Sequence, residues 1–283
     1  MPRLIVNADD FGLTQGINRA ILELNSAGLL TSSTLMAKES ATDAAIAGAL
    51  AAPTLHVGCH IVLVDGKPIL SRIRDLPHLT DSVNHLFPYS LPAFLANIYA
   101  CSRPSEVENQ MEQEASAQIQ SLQQRGLRLT HVDTHKHTHM FPRVLRPILR
   151  AARAAGIHAV RNPFEPQWAL RVSTGATVAR IAQVALLRWL EPMWRRILAE
   201  EGFKTTDGTI AVAGTGILDK TTLRSLLSNL PSGTWELVTH PGYNDADLAR
   251  VRTRLRSSRD VERVALEVLR EFPQIELISF TDI

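Results

Sequence analysis

Cysteine is nearly absent: Cys59 and Cys101 are the only two in 283 residues. That excludes a disulfide framework and a cysteine-rich zinc site, and it fits a reducing compartment. An excess of charge of one sign is missing too. The formal net charge of +2 is too small to argue for nucleic acid as a partner. The one local concentration, Arg250, Arg252, Arg254, Arg256 and Arg259, reads as a solvated loop and helix face. No uncharged apolar run is long enough to span a bilayer. The opening "MPRLIVNADD" has neither the apolar stretch nor the cleavage site of a signal peptide. The expectation is a soluble, cytoplasmic protein, at most peripheral to a membrane. There is no fixed-period repeat and no G-x-S-x-G nucleophile elbow. "GTGILDK" (214–220) lacks the Gly-Lys-Ser/Thr ending of a phosphate-binding loop.

What is there is a regular alternation. Apolar runs such as "RLIVNA", "LTSSTLMA", "LHVGCHIVL", "LRLTHVDTH", "IHAVRNP", "GTIAVAG", "TWELVTHPG" and "IELISFTD" are separated by helix-like stretches. The first of those stretches opens on a possible cap at Thr14 and closes at Gly28. Seven or eight strand-plus-helix units argue for a parallel sheet covered by helices. A barrel is favoured over an open sheet because polar residues stand at several strand ends: Asp9 and Asp10, His60, His131 to His139, Arg161 and Asn162, and His240. In a barrel those ends converge on one face. An open doubly wound sheet calls for a Gly-rich loop after its first strand, where this chain has "NADDFG". The expected architecture is an α/β fold, a (β/α) barrel, incomplete or distorted, in one domain over 1–283. Two segments fit it poorly. Residues 65–103 read as a long loop with short helical pieces, a lid over the site. Residues 165–203 carry three of the four tryptophans and read chiefly as extra helices packed on the barrel. Because Arg180, Arg188, Arg195 and Arg196 interrupt that apolar run, its functional reading is a surface for an apolar substrate or a membrane face.

The densest chemistry is "HVDTHKHTHM" (131–140), which spends four of ten histidines in nine positions. On an extended strand His131, Asp133, His135, His137 and His139 would share one face, spread over about 26 Å. One metal ion cannot reach across that, since its bonds to imidazole are about 2 Å long. If the chain turns into a helix opened by Pro142, only neighbours such as Asp133, His135 and His139 can meet. In "NADDFG" adjacent acids point to opposite faces unless the strand is ending; at a strand end one can bind a metal while the other takes a proton. The bland alternative is an Asp-rich turn. In "HVGCHIVL" His56, Gly58 and His60 share parity and Cys59 faces away. His240 ends a strand before a Pro-Gly turn, and a histidine there can donate a proton near neutral pH. One acid with several histidines suits Zn²⁺, Mg²⁺ or a similar ion, and three protein ligands leave a position open for water.

"LIVNADDFGLTQGINRAI", "HVGCHIVL", "THVDTHKHTHMFP" and "ELVTHPGYND", in that order, resemble the YdjC-like carbohydrate deacetylases from end to end. "HIVLVDGKPIL" and the arginine-bearing insertion are most similar to the branch associated with hopanoid biosynthesis. The resemblance implies removal of acetyl groups from N-acetylated sugars with one divalent metal ion (Mg²⁺ or Zn²⁺) held by Asp10, His60 and His135. It implies Asp9 as general base and His240 as general acid. Asp133, His131, His139 and Arg161 would orient ligands or contact substrate. The implied substrate is an N-acetylglucosamine-type sugar on a hopanoid polyol, reached at the inner face of the membrane through 165–203. The alternatives are soluble chitooligosaccharides, or a non-catalytic barrel that binds sugar or metal.

Overall fold

The computed structural model describes residues 1–70, 72, 75–173 and 175–283. Residues 71, 73 and 74 of the expected lid, and 174 of the second insertion, lie outside the described residues. The strands are β1 (Pro2–Phe11), β2 (Ser32–Leu35), β3 (His56–Ile61), β4 (Val132–Thr134), β5 (Gly208–Ile210), β6 (Gly233–Thr239) and β7 (Glu276–Ile278). All described pairings are parallel, in the order β4-β3-β2-β1-β6-β5, and the short β7 pairs with β1 over Arg3–Ile5. Helices lie between successive strands, as a parallel sheet requires. The sheet curls, and its open side is completed by the stretch around 159–161. Single parallel bridges tie Val132 to Val160 and Ala159 to Lys204. The expected strand "IHAVRNP" is therefore present only as bridges. Pro163 brings no N–H to a ladder, and the Asn162 side chain takes the Phe164 N–H at 3.1 Å. The result is a distorted barrel.

Period-2 alternation sorts the residues of β1 between two environments. Leu4, Val6 and Ala8 join the large apolar core that includes Ile17, Ile21 and Leu24 of the helix Gln15–Ser26. Ile5 packs instead with Ala159, Ile278 and Phe280, a small apolar cluster of its own. Beyond Ile5 the same face carries Asn7 and Asp9, both buried. The barrel thus has an apolar plug at one end and a polar interior towards the strand C-termini, where (β/α) barrels place their sites.

The two insertions behave differently. The described residues of 62–90 contain almost no regular structure before the helix Leu91–Ala100. A long irregular stretch must still satisfy its backbone groups, and the helix Pro104–Gln123 does this for it. Glu114 accepts from the N–H groups of Ile69 and Leu70, Gln118 pairs with both N and O of Val62, and Gln110 accepts from the N–H of His78. The polar residues Gln110, Glu114 and Gln118 of that helix are therefore buried or nearly so. Residues 165–203 form the helices Gln167–Val172, Val178–Leu187 and Glu191–Glu201. Trp194 is fully buried and donates to the His139 carbonyl at 3.1 Å, while Trp189 is 69% exposed. Val178, Leu186 and Met193 are also exposed.

Candidate metal centre and active site

The two neighbouring acids reach the same cavity through a backbone irregularity. The β1–β2 register runs Ala8↔Ser33 and then Phe11↔Leu35, so Asp9 and Asp10 stand opposite a single partner position. This is a β-bulge, which re-aims a side chain without ending the strand. Asp10 takes a left-handed φ of 64°, a conformation that costs energy for a residue with a Cβ and marks functional sites. Alternation alone would send Asp10 to the helix side; the bulge turns it into the barrel mouth.

Three side-chain atoms that could hold one metal ion meet there. Asp10 Oδ1 lies 3.7 Å from His60 Nε2 and 3.5 Å from His135 Nδ1, and the two nitrogens are 3.2 Å apart. Ligands at bond lengths near 2.0–2.1 Å in a tetrahedral shell stand about 3.3 Å from one another, so the spacing suits one ion. Asp10 Oδ1 is buried and has no hydrogen-bond partner, an arrangement that calls for a cation. His135 reaches the group because β4 ends at Thr134 and the chain enters a tight turn, with Lys136 and His137 both at positive φ. The mouth also gathers more buried carboxyl groups than guanidinium groups. Asp9, Asp10, Asp133, Glu236 and Glu262 are buried against two buried guanidinium groups, Arg161 and Arg259.

Around the ligands is a tightly bonded shell. Asp133 Oδ1 accepts from His60 Nδ1 at 2.7 Å, which presents Nε2 to the centre and is how carboxylates commonly orient ligand histidines. Arg161 binds both oxygens of Asp9, at 2.8 and 2.6 Å, and Glu236 at 2.7 Å, and it also pairs with Asp133. Thr34 Oγ1 lies 3.2 Å from each of Asp9, His60 and Asp133. Burial would raise the Asp9 carboxyl, but Arg161 together with His60 and His240 outweighs it and holds Asp9 well below the usual carboxylate range. Burial would lower His60, yet Asp133, Asp9 and Asp10 push it up to about 9. The pocket thus favours a positive charge at the position of the ligand atoms.

His240 sits at the end of β6 with Nε2 3.8 Å from Asp9 Oδ2 and Nδ1 3.6 Å from Glu262 Oε2. Burial works against its protonated form, but Glu262, Asp9 and Asp10 together raise its pKa. Glu262 is fixed in turn by the N–H of His240 at 2.6 Å and by Thr239 and Gly216.

The remaining histidines of 131–140 lie away from the three ligand atoms. His131 is packed: its ring stacks on Phe280 at 3.7 Å, and a Cβ at Gly58 would stand 2.5 Å from it. That contact accounts for the glycine two residues before His60. Burial pushes His131 down to about 3 and His139 down to about 4, so both are neutral. His139 brackets the turn, with Nδ1 2.8 Å from Thr134 Oγ1 and Nε2 3.0 Å from the Arg161 carbonyl. His137 is half-buried beside it, its Nδ1 without a partner among the described residues. Cys59 is buried, and burial pushes its thiol up. One expectation is corrected outright. The basic run is not all solvated: Arg259 is 1% exposed and donates to Asp10 Oδ2 at 2.5 Å. Arg259, Glu262, Glu236 and Thr34 are the site residues that sequence reasoning missed.

Comparison with known proteins bears on this geometry. Residues 3–272 match the family described as YdjC-like protein. A carbohydrate deacetylase of Brevibacillus brevis is 37% identical over 162 residues, which span 57% of this chain and 60% of that protein. A carbohydrate deacetylase of Thermoanaerobacter pseudethanolicus is 27% identical over 268 residues, 94% of this chain and 91% of that protein. Among solved structures, an Enterococcus faecalis protein named for cellobiose-phosphate cleavage superposes with a TM-score of 0.77. It is 24% identical, covering 99% of this chain and 98% of its own, and the likeness carries the fold.

Proposed function

The chain belongs to the YdjC-like protein family, and from that premise we propose that it is a metal-dependent hydrolase removing the acetyl group from an N-acetylglucosamine-type sugar. The observation that carries the reading is Asp10 Oδ1, buried, unpartnered and facing two histidine nitrogens at ligand spacing. A divalent ion (Mg²⁺ or Zn²⁺) held by Asp10, His60 and His135 would supply Lewis acidity towards the acetyl oxygen and an activated water. The relatives named carbohydrate deacetylases support the reaction class.

Amide hydrolysis forms a C–O bond, breaks the C–N bond and must deliver a proton to the leaving nitrogen. Asp9 would accept the proton from water. Because Arg161 keeps Asp9 ionised, a proton taken there is passed on. His240, 3.8 Å from Asp9 Oδ2, holds a proton more firmly and would give it to the amine. Asp133 would hold His60 in its ligand tautomer. Arg161 would fix Asp9 and Asp133 relative to each other.

The finer proposal is that the sugar is carried on a hopanoid polyol and that the product is the free glucosamine form. The sequence likeness to the hopanoid-associated branch supports it, as do the exposed apolar side chains Val178, Leu186, Trp189 and Met193 within 165–203, which suit a lipid tail or the inner face of a membrane. No helix among the described residues is long and apolar enough to cross a membrane. The test is acetate release from N-acetylglucosaminyl-bacteriohopanetetrol and from diacetylchitobiose, with metal-stripped and metal-restored protein. Metal-dependent release from the hopanoid alone is the expected result. Release only from the soluble sugar would keep the chemistry and reject the lipid. No release from either, with His60→Ala binding sugar like wild type, would leave a non-catalytic barrel.

A further inference from the structure

Arg259 enters the mouth from the first turn of the helix Ser257–Ala265. It makes an unusual set of contacts for a buried arginine. Nη2 donates to Asp10 Oδ2 at 2.5 Å, while Nε and Nη1 have no partner among the described residues. Unmet buried donors are costly, and an arginine kept for packing or bulk charge would be placed to satisfy more of its five. This one is placed to satisfy Asp10. The chain also makes room for it. A Cβ at Gly242, the glycine of the His-Pro-Gly turn, would stand 3.1 Å from Arg259 Cδ and 3.0 Å from Ile17 Cγ1. The Gly242 N–H donates to the Arg259 carbonyl at 3.2 Å, so the turn and the arginine are fixed together.

The two oxygens of Asp10 therefore have unlike surroundings. Oδ2 is taken by a guanidinium, and Oδ1 faces His60 Nε2 and His135 Nδ1 without a partner. A carboxylate free at both oxygens can grip a cation with one or with two. We infer that Arg259 is a positioning residue that restricts Asp10 to ligation through Oδ1 alone, and so keeps a coordination position open for water and substrate. The inference rests on the metal-centre reading above. Three single-atom ligands leave a tetrahedral ion one free position, and a second oxygen from Asp10 would close it. The role differs from that of Arg161, which does not touch Asp10.

The test is the visible d–d absorption of the full chain, stripped of metal and reloaded with Co²⁺, because coordination number and geometry set its intensity. Wild type should give the strong absorption of a four-coordinate site. Arg259→Met frees Oδ2, and the absorption should fall by about twofold or more as the coordination number rises. Gly242→Ala keeps the guanidinium but displaces its stem, and should move the spectrum the same way to a smaller extent. It decides the matter if Arg259→Met does not fold. Wild-type spectra in the variants that fold would overturn the inference, and so would a weak, six-coordinate spectrum in wild type. No Co²⁺ binding by wild type would remove the metal centre itself, and this role with it.

Discussion

Replacing Arg161 by methionine should turn the interior of the barrel against itself. The guanidinium is fully buried and touches three carboxylates, those of Asp9, Asp133 and Glu236. Removing one member of a buried ion pair costs about 3–5 kcal/mol because the other charge is left uncompensated, and here three charges lose the same partner. Against a total stability of about 5–15 kcal/mol, the metal-free variant should be barely folded at neutral pH. The deficit also has a sign in pH. Burial raises all three carboxyls, Glu236 to about 7 on balance, and Arg161 opposes that rise in each, so without it each folded-state carboxyl rises further and the folded variant binds more protons than the folded wild type. A raised carboxyl is a source of stability on the acid side, lost as pH rises through it. The difference between variant and wild type must therefore widen from pH 5 to pH 7. One extra bound proton over those two units corresponds to about 2.7 kcal/mol. Urea denaturation at both pH values, in chelator, measures it. A deficit below about 1 kcal/mol, or one that does not grow with pH, would refute the claim that Arg161 neutralises this cluster.

Asp133→Asn also breaks a buried pair with Arg161, so it should lower stability, and in the protein that remains folded it should weaken metal binding by about 10- to 100-fold, checked by titration of metal into the stripped protein. Glu262→Gln removes the leading group that raises His240, so the alkaline limb of the pH–activity profile should move to lower pH while the acid limb stays. An unmoved alkaline limb would mean that His240 is not the proton donor. Gly58→Ala drives a methyl group to 2.5 Å from the buried His131 ring and should cost about 1–3 kcal/mol in thermal or urea unfolding, with metal affinity unchanged in whatever remains folded.

The positions of most strands and the mouth-facing motifs were legible because they depend on short-range pattern. "RLIVNA" and "TWELVTHPG" read as strands, and they pair along seven register positions. The carriers of the site's electrostatics were not legible, and distance along the chain explains it. Arg259 meets Asp10 across 249 residues, and in sequence it is one more arginine in a basic run. Glu236 sits on β6 among apolar residues with nothing to mark it as the partner of Arg161, 75 positions earlier. The histidine cluster was legible in part. Strand geometry excluded one shared site, but only the turn at Lys136 and His137 shows how His135 comes beside Asp10 and His60 while His131 and His139 go to packing and backbone support. Parity arguments also stop at the bulge, since they assume one residue per pleat.

That bulge makes the reaction centre a matter of counting. Asp9 and Asp10 occupy the space of one residue on the neighbouring strand, so the second acid is an insertion in the geometric sense, carried without disturbing Phe11 and its partner Leu35. Deleting either codon would do more than remove a carboxylate. It would restore an unbroken ladder with a single acid facing inwards, and one side chain would then have to take both of the roles proposed for Asp9 and Asp10. Substitution can tune such a site, but substitution alone cannot create it: the step from a barrel with one acid to a barrel with two is a change in chain length.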